Sequence, residues 1–233
     1  MFERLVEIDH DWLLAINSCH APWADSLMWA ISAKETWIPL YILLVILLVR
    51  IYRRATTRHR VVLFVGVVLA FVVAVGGADM ISHAIKHTVC RLRPTHHPLL
   101  GGLVHVVNGY TGGLYGFVSS HAANTMACAL LVSLIGCRRK QPSMLSLPQW
   151  LAAVLMGWVM LNSYSRIYLG VHYPADIIGG WIVGALTAYG AFCLLRVWEQ
   201  MWNERCDYSP HASAEADLQA GADDEATSQP ADS

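Results

Sequence analysis

Long apolar runs are the feature that most restricts what this chain can fold into. Five of them lie at about 37–49, 61–85, 119–136, 150–164 and 174–197. A helix that crosses the hydrocarbon core of a bilayer needs about 20 predominantly apolar residues. Only 14% of the residues are charged, whereas a typical soluble domain has about 25%. The sequence therefore predicts an all-α integral membrane protein built as a helical bundle.

A weaker apolar segment precedes these runs. Residues 12–31 are interrupted by polar and helix-breaking residues, namely Asn17, His20, Pro22 and Asp25. The segment is either a poor transmembrane helix or an amphipathic helix in the membrane interface, and we expect about six transmembrane helices in all. Residues 1–36 would form this N-terminal part, and residues 37–200 the main membrane domain. Because five charged residues interrupt 1–14, no cleavable signal peptide is expected.

Basic residues predict the orientation in the membrane. The segment 50–60 contains five arginines, and residues 138–140 add three basic residues. Cytoplasmic loops carry an excess of lysine and arginine, so both segments are expected in the cytoplasm. The segments 86–117 and 165–176 then face the exterior, or the periplasm if the cell has one.

The C-terminal segment, 207–233, is rich in alanine, serine and acidic residues and has no lysine or arginine. It cannot bury enough apolar surface to offset the entropy lost on ordering, so a disordered acidic cytosolic tail is expected. The formal net charge of −1 gives no indication of nucleic acid as a partner. The six cysteines show no CxxC or other metal-ligand spacing.

Three short polar stretches fall on the predicted outer side: "KHTVCRLRP" (86–94), "VSSH" (118–121) and "SRIYLGVHYPAD" (165–176). Lys86 and Arg93 are close to two helical turns apart, so both cations can share one helix face. The second stretch opens an apolar helix, whose first backbone N–H groups can bind an anion. His172 and Asp176 are four residues apart, so the carboxylate can hold the imidazole.

Together these residues supply the groups that phosphoryl transfer requires. Three cations can surround a tetrahedral oxyanion: Lys86, Arg93 and Arg166. His172, backed by Asp176, is a candidate nucleophile or base with a fixed tautomer. A second histidine, His121, can donate a proton. Fixed cations can supply the charge stabilisation that Mg²⁺ gives in other enzymes, so no metal or other cofactor is expected.

Several of these signals have a second reading. An arginine near a helix end can anchor to lipid head groups, which applies to Arg91, Arg93 and Arg166. His83 and His87 are four residues apart and could bind a metal, but no third ligand follows at regular spacing. The stretch "GGLYG" (112–116) could cradle phosphate, but no strand precedes it, so a flexible loop is favoured. Cys90 could be a reactive thiol, but a cysteine with no role in the reaction is favoured.

The order of KxxxxxxRP, a Ser-x-His stretch and SRxxxxxHxxxD resembles the type 2 phosphatidic acid phosphatase (PAP2) superfamily. The first and third patterns match at full spacing, and the resemblance covers about residues 60–197. The second departs from the family's Pro-Ser-Gly-His, since Val118 and Ser120 stand at the Pro and Gly positions. Ser120 adds a Cβ where the backbone approaches phosphate, so either the loop tolerates it or the oxyanion geometry changes slightly.

This resemblance implies a six-helix bundle and a two-step reaction. His172 would attack phosphorus to give a phosphohistidine, and Asp176 would orient its ring. His121 would protonate the leaving group and then activate water. Five residues would hold the phosphoryl oxygens: Lys86, Arg93, Arg166, Ser119 and, through its backbone N–H, Ser120.

The expected function is that of a lipid phosphatase in the bacterial inner membrane, with its active site facing the periplasm or exterior. Polyprenyl diphosphate, phosphatidate-type lipids and lipid A phosphates all fit. Residues 95–117, with His96, His97 and His105, are expected to cap the site and to select the substrate. Two alternatives stay open: a phosphotransferase that passes the phosphoryl group from His172 to a lipid hydroxyl, and a non-enzymatic protein that binds or transports an anion.

Overall fold

The protein is mainly helical in the residues that the computed structural model describes, which are 2–51, 57–136 and 148–207. Eight α-helices follow one another in this part of the chain: α1 (Phe2–Ser18), α2 (Pro22–Ser32), α3 (Ile38–Ile51), α4 (Thr57–Phe71), α5 (Gly77–Val89), α6 (Ser120–Gly136), α7 (Gln149–Tyr168) and α8 (Pro174–Asp207). A π-helical segment, Val72–Gly76, joins α4 to α5. The β-structure in these residues is a single bridge between Leu92 and Tyr115. The predicted all-α class is confirmed.

Two of the described helical segments are long and apolar enough to cross a bilayer, Val61–Val89 and Pro174–Trp202. Two others, Glu35–Leu44 and Ser120–Gly136, are apolar but shorter. The predicted number of six transmembrane helices is therefore not confirmed by helix length, and it stays a prediction.

The weak N-terminal apolar segment, 12–31, is not the single helix that the sequence suggested. The chain leaves α1 at Ser18, and Ala21 is fully extended before α2 starts. Pro22 occupies the first turn of α2, where its missing N–H costs no helical hydrogen bond. The single-helix prediction is thus wrong, because the break falls inside the apolar segment.

Three helix ends bring the polar stretches to one place. Helix α5 ends at Val89, and Cys90 follows in a left-handed conformation with φ 52° that turns the chain away from the helix axis. Arg93 therefore lies beyond α5, so the prediction that it shares a helix face with Lys86 is wrong. Helix α7 ends before Gly170, another left-handed residue with φ 68°. Pro174 then begins α8, so His172 lies in the short connection between two helices.

A buried apolar cluster holds α1 against the helices that carry these stretches. It is formed by side chains of α1, the 94–117 loop, α6, α7 and the start of α8: Leu13, Leu100, Val104, Ala122, Ile167, Tyr173 and Ile177. Burying such side chains away from solvent stabilises the arrangement. The N-terminal helix is therefore packed beside the polar stretches.

The chain up to Leu194 forms one compact unit, and a second unit begins at Leu195. Most of the predicted acidic tail, from residue 208 onward, lies outside the described residues. Residues 52–56 of the first basic segment and all of the second, 138–140, also lie outside them.

Candidate active site

One cavity of about 740 Å³ brings the three polar stretches together. Its wall contains most of the residues that the sequence singled out: Lys86, Arg93, Ser120, His121, Arg166 and His172. They come from the end of α5, the following loop, the start of α6, the end of α7 and the connection to α8. The cavity therefore brings together cations and imidazoles from segments that are far apart in the sequence, from Lys86 to His172.

His172 is almost fully buried beside the carboxylate of Asp176. Its Nδ1 lies 3.4 Å from Oδ2 of Asp176, so the carboxylate is positioned to hold the proton on Nδ1 and leave the lone pair on Nε2. Burial lowers the pKa of the His172 imidazole well below its usual value, and three neighbouring cations lower it further. The ring is thus kept neutral, the form that a nucleophile requires.

Asp176 lies behind His172 rather than on the cavity wall. Its Oδ2 accepts the backbone N–H of Tyr173 at 3.0 Å. Its Oδ1 accepts a hydrogen bond from Nη1 of Arg91 at 2.8 Å. A carboxylate with this many donors has a fixed direction, which suits an orienting role.

Two arginines reach the cavity with unused hydrogen-bond donors. Arg93 donates from Nε to the carbonyl oxygen of Tyr115 at 3.1 Å, and Arg166 donates to the hydroxyl of Ser32. Among the described residues, Nη1 of Arg93 and Nε of Arg166 are buried without a partner. Burial lowers the pKa of Arg93, and the positive charge of Arg166 lowers it further. Two positive charges that line one cavity favour a bound anion there.

The Ser120 hydroxyl explains how a serine is accommodated where the family pattern has glycine. Nζ of Lys86 donates a hydrogen bond to Oγ of Ser120, and the same oxygen lies 2.8 Å from Oγ of Ser82. The Ser120 side chain therefore turns towards α5 and helps to hold the ammonium group.

Ser119 is fully buried and does not line the cavity. Its Oγ is 3.5 Å from the backbone N–H of Ala122, the arrangement of an N-terminal helix cap. Its own N–H donates to the carbonyl oxygen of Asp176 at 2.9 Å. These contacts give Ser119 a structural place at the start of α6, and its predicted role as a phosphate ligand stays a prediction.

The loop between α5 and α6 contributes Tyr110 to the cavity wall. The three loop histidines that the sequence singled out do not line it. His105 instead pairs through Nε2 with Oδ2 of Asp25 at 2.9 Å, and His97 contacts the ring of His10. These contacts attach the loop to α1 and α2.

Contacts also bear on the stretch 112–116 and on the histidine pair of α5. The stretch 112–116 is not a free loop, because the N–H of Gly116 donates to the carbonyl of Arg91 at 2.8 Å and Leu114 accepts from Arg93 at 3.0 Å. The rings of His83 and His87 are 4.5 Å apart. The described residues supply no third side chain that would complete a metal site there.

Sequence reasoning missed two charged residues behind the site. On its sequence alone Arg91 can be a lipid anchor, but it bridges Asp176 and Asp9, with Nη2 at 2.6 Å from Oδ2 of Asp9. Asp9 was seen only as a charge that interrupts the N-terminal segment. No local pattern links it to Arg91, which lies 82 positions further along the chain.

Comparison with known proteins gives consistent results. The family profile described as the PAP2 superfamily matches residues 67–200. The lipid A 4'-phosphatase of Bacteroides thetaiotaomicron is 35% identical over 193 residues, 81% of this chain and 77% of that protein. The lipid A 4'-phosphatase of Porphyromonas gingivalis is 32% identical over 212 residues, 90% of this chain and 83% of that protein.

The fold is also similar to that of a solved membrane enzyme, a transmembrane PAP2-type phosphatidylglycerolphosphate phosphatase from Bacillus subtilis. The TM-score is 0.56 at 20% sequence identity, with 85% of this chain and 87% of that chain covered. The family profile matches more than half of the chain, and the two lipid A 4'-phosphatases match most of it. From the three motifs, their shared cavity and these similarities, we conclude that the chain belongs to the PAP2 superfamily.

Proposed function

We propose that this protein removes a phosphate group from a membrane lipid through a phosphohistidine on His172. The observation that carries the proposal is the shape of the cavity. The polar end, with its cations and two histidines, continues into an apolar wall formed by α3, α4 and the π-helical segment: Leu44, Phe64, Val67, Val68, Phe71 and Val72. An amphiphile can place its phosphate at one end and its chains against the other.

In the first step, Nε2 of His172 attacks phosphorus while the bond from phosphorus to the lipid oxygen breaks. Arg93, Arg166 and Lys86 stabilise the charge on the phosphoryl oxygens, and their fixed positions avoid reorganisation during the reaction. His121, which takes up a proton when the phosphate dianion binds among the cations, gives that proton to the departing oxygen. The products are the dephosphorylated lipid and a phosphohistidine.

In the second step, His121 is neutral and accepts a proton from water, which attacks phosphorus. The bond between phosphorus and Nε2 of His172 breaks and inorganic phosphate leaves. Asp176 holds the ring through Nδ1 in both steps, so the ring returns to the same tautomer. The same three cations bind the phosphoryl oxygens in both transition states.

A phosphorylated saccharide lipid of the lipid A type is the first substrate class to test, because two relatives with that named activity match most of the chain. Polyprenyl diphosphate and phosphatidate-type lipids are the alternative substrate classes. The proposed location is the bacterial inner membrane, with the site open to the periplasmic face. This places the site beside the head groups of the outer leaflet.

The test uses protein purified in detergent, a panel of these three lipid classes, and excess EDTA. We expect release of inorganic phosphate from at least one lipid, with the activity unaffected by the chelator and absent in His172→Ala. A labelled lipid acceptor in the same assay detects a phosphotransferase. Restoration of EDTA-inhibited activity by Mg²⁺, or an active His172→Ala variant, would contradict the proposal.

A further inference from the structure

The carboxylate that orients His172 is itself held by a chain of charges that reaches the N-terminal helix. One guanidinium, that of Arg91, donates from Nη1 to Asp176 at 2.8 Å and from Nη2 to Asp9 at 2.6 Å. The plane of an arginine suits two such carboxylates at once, which a lysine ammonium does not match. Arg91 also lies 3.9 Å above the ring of Tyr173, so its position is fixed on a third side.

Asp9 makes a second contact that bears directly on the active site. Its Oδ1 accepts the backbone N–H of Ala175 at 2.8 Å. Ala175 is in the first turn of α8, one residue before Asp176, where backbone N–H groups have no partner within the helix. A side chain of α1 therefore completes the start of the helix that carries the orienting carboxylate.

The two carboxylates of this network are buried, whereas the side chain of Arg91 is 24% exposed. The side chain of Asp9 is 8% exposed and that of Asp176 is 0% exposed. A buried carboxylate that loses its cation is strongly destabilised, so Asp176 depends on Arg91. Asp9 is the second anion beside the Arg91 guanidinium, and its hydrogen bond with Nη2 fixes the orientation of that group.

We propose that Asp9 and Arg91 are positioning residues for the nucleophile, and that α1 thereby sets the geometry of the active site. Asp9 lies outside residues 67–200, the region that the family profile matches. This inference rests on the proposed role of His172. Neither residue lines the cavity, so both act through Asp176 and not on the substrate.

Steady-state kinetics on the full-length protein in detergent test the proposal. Arg91→Ala should lower kcat by about 10²-fold, the cost of a misplaced reacting group, and leave KM unchanged because the phosphate ligands remain. Arg91→Lys keeps the charge but bridges poorly, so its loss should be smaller. Asp9→Asn keeps an oxygen for the N–H of Ala175 but loses the charge facing Arg91. Its kcat should lie between those of the wild type and Arg91→Ala.

Two controls separate positioning from loss of fold. Asp11→Asn removes the same charge from an exposed position on the same helix and should keep wild-type kcat and thermal stability. Millimolar guanidinium should restore part of the kcat of Arg91→Ala, because it replaces the missing cation. The Asp9→Asn and Arg91→Ala double variant should be no slower than Arg91→Ala alone, because the two residues act in series.

Formation of phosphohistidine by the wild-type protein distinguishes a failure of the proposed function from a failure of the positioning proposal. If the wild-type protein forms none, the proposed function fails. If wild type forms it and the Arg91→Ala and Asp9→Asn variants form it at the same rate, the positioning proposal is overturned. It is also overturned if their lower activity merely follows a smaller folded fraction and guanidinium restores nothing.

Discussion

The backbone of Gly116 passes so close to Asp176 that a Cβ atom on Gly116 would lie 2.9 Å from Oδ2 of the carboxylate. The same oxygen accepts the N–H of Tyr173 and faces Nδ1 of His172. The Cβ would also lie 3.2 Å from Cγ of Arg93. The glycine thus allows the loop after α5 to pass close to both Asp176 and Arg93, the proposed orienting carboxylate and one proposed phosphate ligand.

Gly116→Ala should therefore reduce activity without unfolding the protein. A shift of the carboxylate or of Arg93 by a few tenths of an ångström would misplace the proposed nucleophile. We therefore expect kcat to fall by up to about 10²-fold. Gly113→Ala is the matched control, because a Cβ there meets nothing within 4 Å. Phosphate release at saturating lipid measures both variants, and equal rates would show that the close approach has no consequence.

Replacement of Ser120 tests the contact that distinguishes this chain from the usual family pattern. Ser120→Ala removes the oxygen that receives a hydrogen bond from Lys86, so the ammonium is held less firmly. We expect kcat/KM to fall by about tenfold, the equivalent of one hydrogen bond to a charged group. Unchanged kcat/KM would mean that the Ser120 hydroxyl does not help Lys86 to bind phosphate.

The apolar wall can be tested separately from the chemistry. Val68→Trp places a large side chain on the cavity wall, so it should slow hydrolysis of long-chain lipid phosphates and spare a short soluble aryl phosphate. Val65→Trp is the matched control, since Val65 is exposed on the same helix and is absent from the cavity wall. An equal loss on lipid and aryl substrates in Val68→Trp would argue against chain binding at this wall.

The sequence predicted the helices and most of the cavity because those signals are local. Apolar runs indicate membrane helices without reference to the rest of the chain. The spacings from Lys86 to Arg93 and from His172 to Asp176 lie within one motif each. The structure brings these motifs into one cavity, as the resemblance to the family implied.

The contacts that local patterns could not give are those between distant segments. Arg91 and Asp176 are 85 residues apart, and Arg91 and Asp9 are 82 apart, so no spacing rule connects them. The sequence showed that Pro22 interrupts the segment 12–31 but not that it divides the segment into two helices, because a proline can either interrupt a helix or begin one. The burial of Ser119 was missed because a serine at a helix start is equally suited to capping and to anion binding.

Orientation in the membrane rests on the arginine clusters and can be measured directly. A cysteine at Gly113, in a background without Cys19 and Cys90, should react with an impermeant thiol reagent in intact cells, after permeabilisation of any outer membrane. Gly113 is preferable to Gly112, which has φ 69° and where an added Cβ would clash with the Arg93 side chain. Arg50→Cys, in the predicted cytoplasmic cluster, should react only after lysis. The reverse labelling pattern would overturn the orientation.

The two histidines should fail in different ways when they are replaced. In the proposed mechanism His121 acts on the leaving group, so its loss should matter more for a lipid alkoxide than for an aryl phosphate whose phenolate leaves easily. Proton donation of this kind contributes about 10²- to 10⁴-fold. His172→Ala should lose turnover of every substrate, since no covalent intermediate can form.

The most direct test of the account is to trap the phosphoenzyme with a labelled aryl phosphate. His121→Ala should accumulate an acid-labile phosphoprotein, because the first step proceeds while water activation is impaired, and the label should map to His172. His172→Ala should show no labelled protein. Labelled phosphoenzyme in His172→Ala, or an equal loss of lipid and aryl turnover in both variants with no trapped intermediate, would contradict the account.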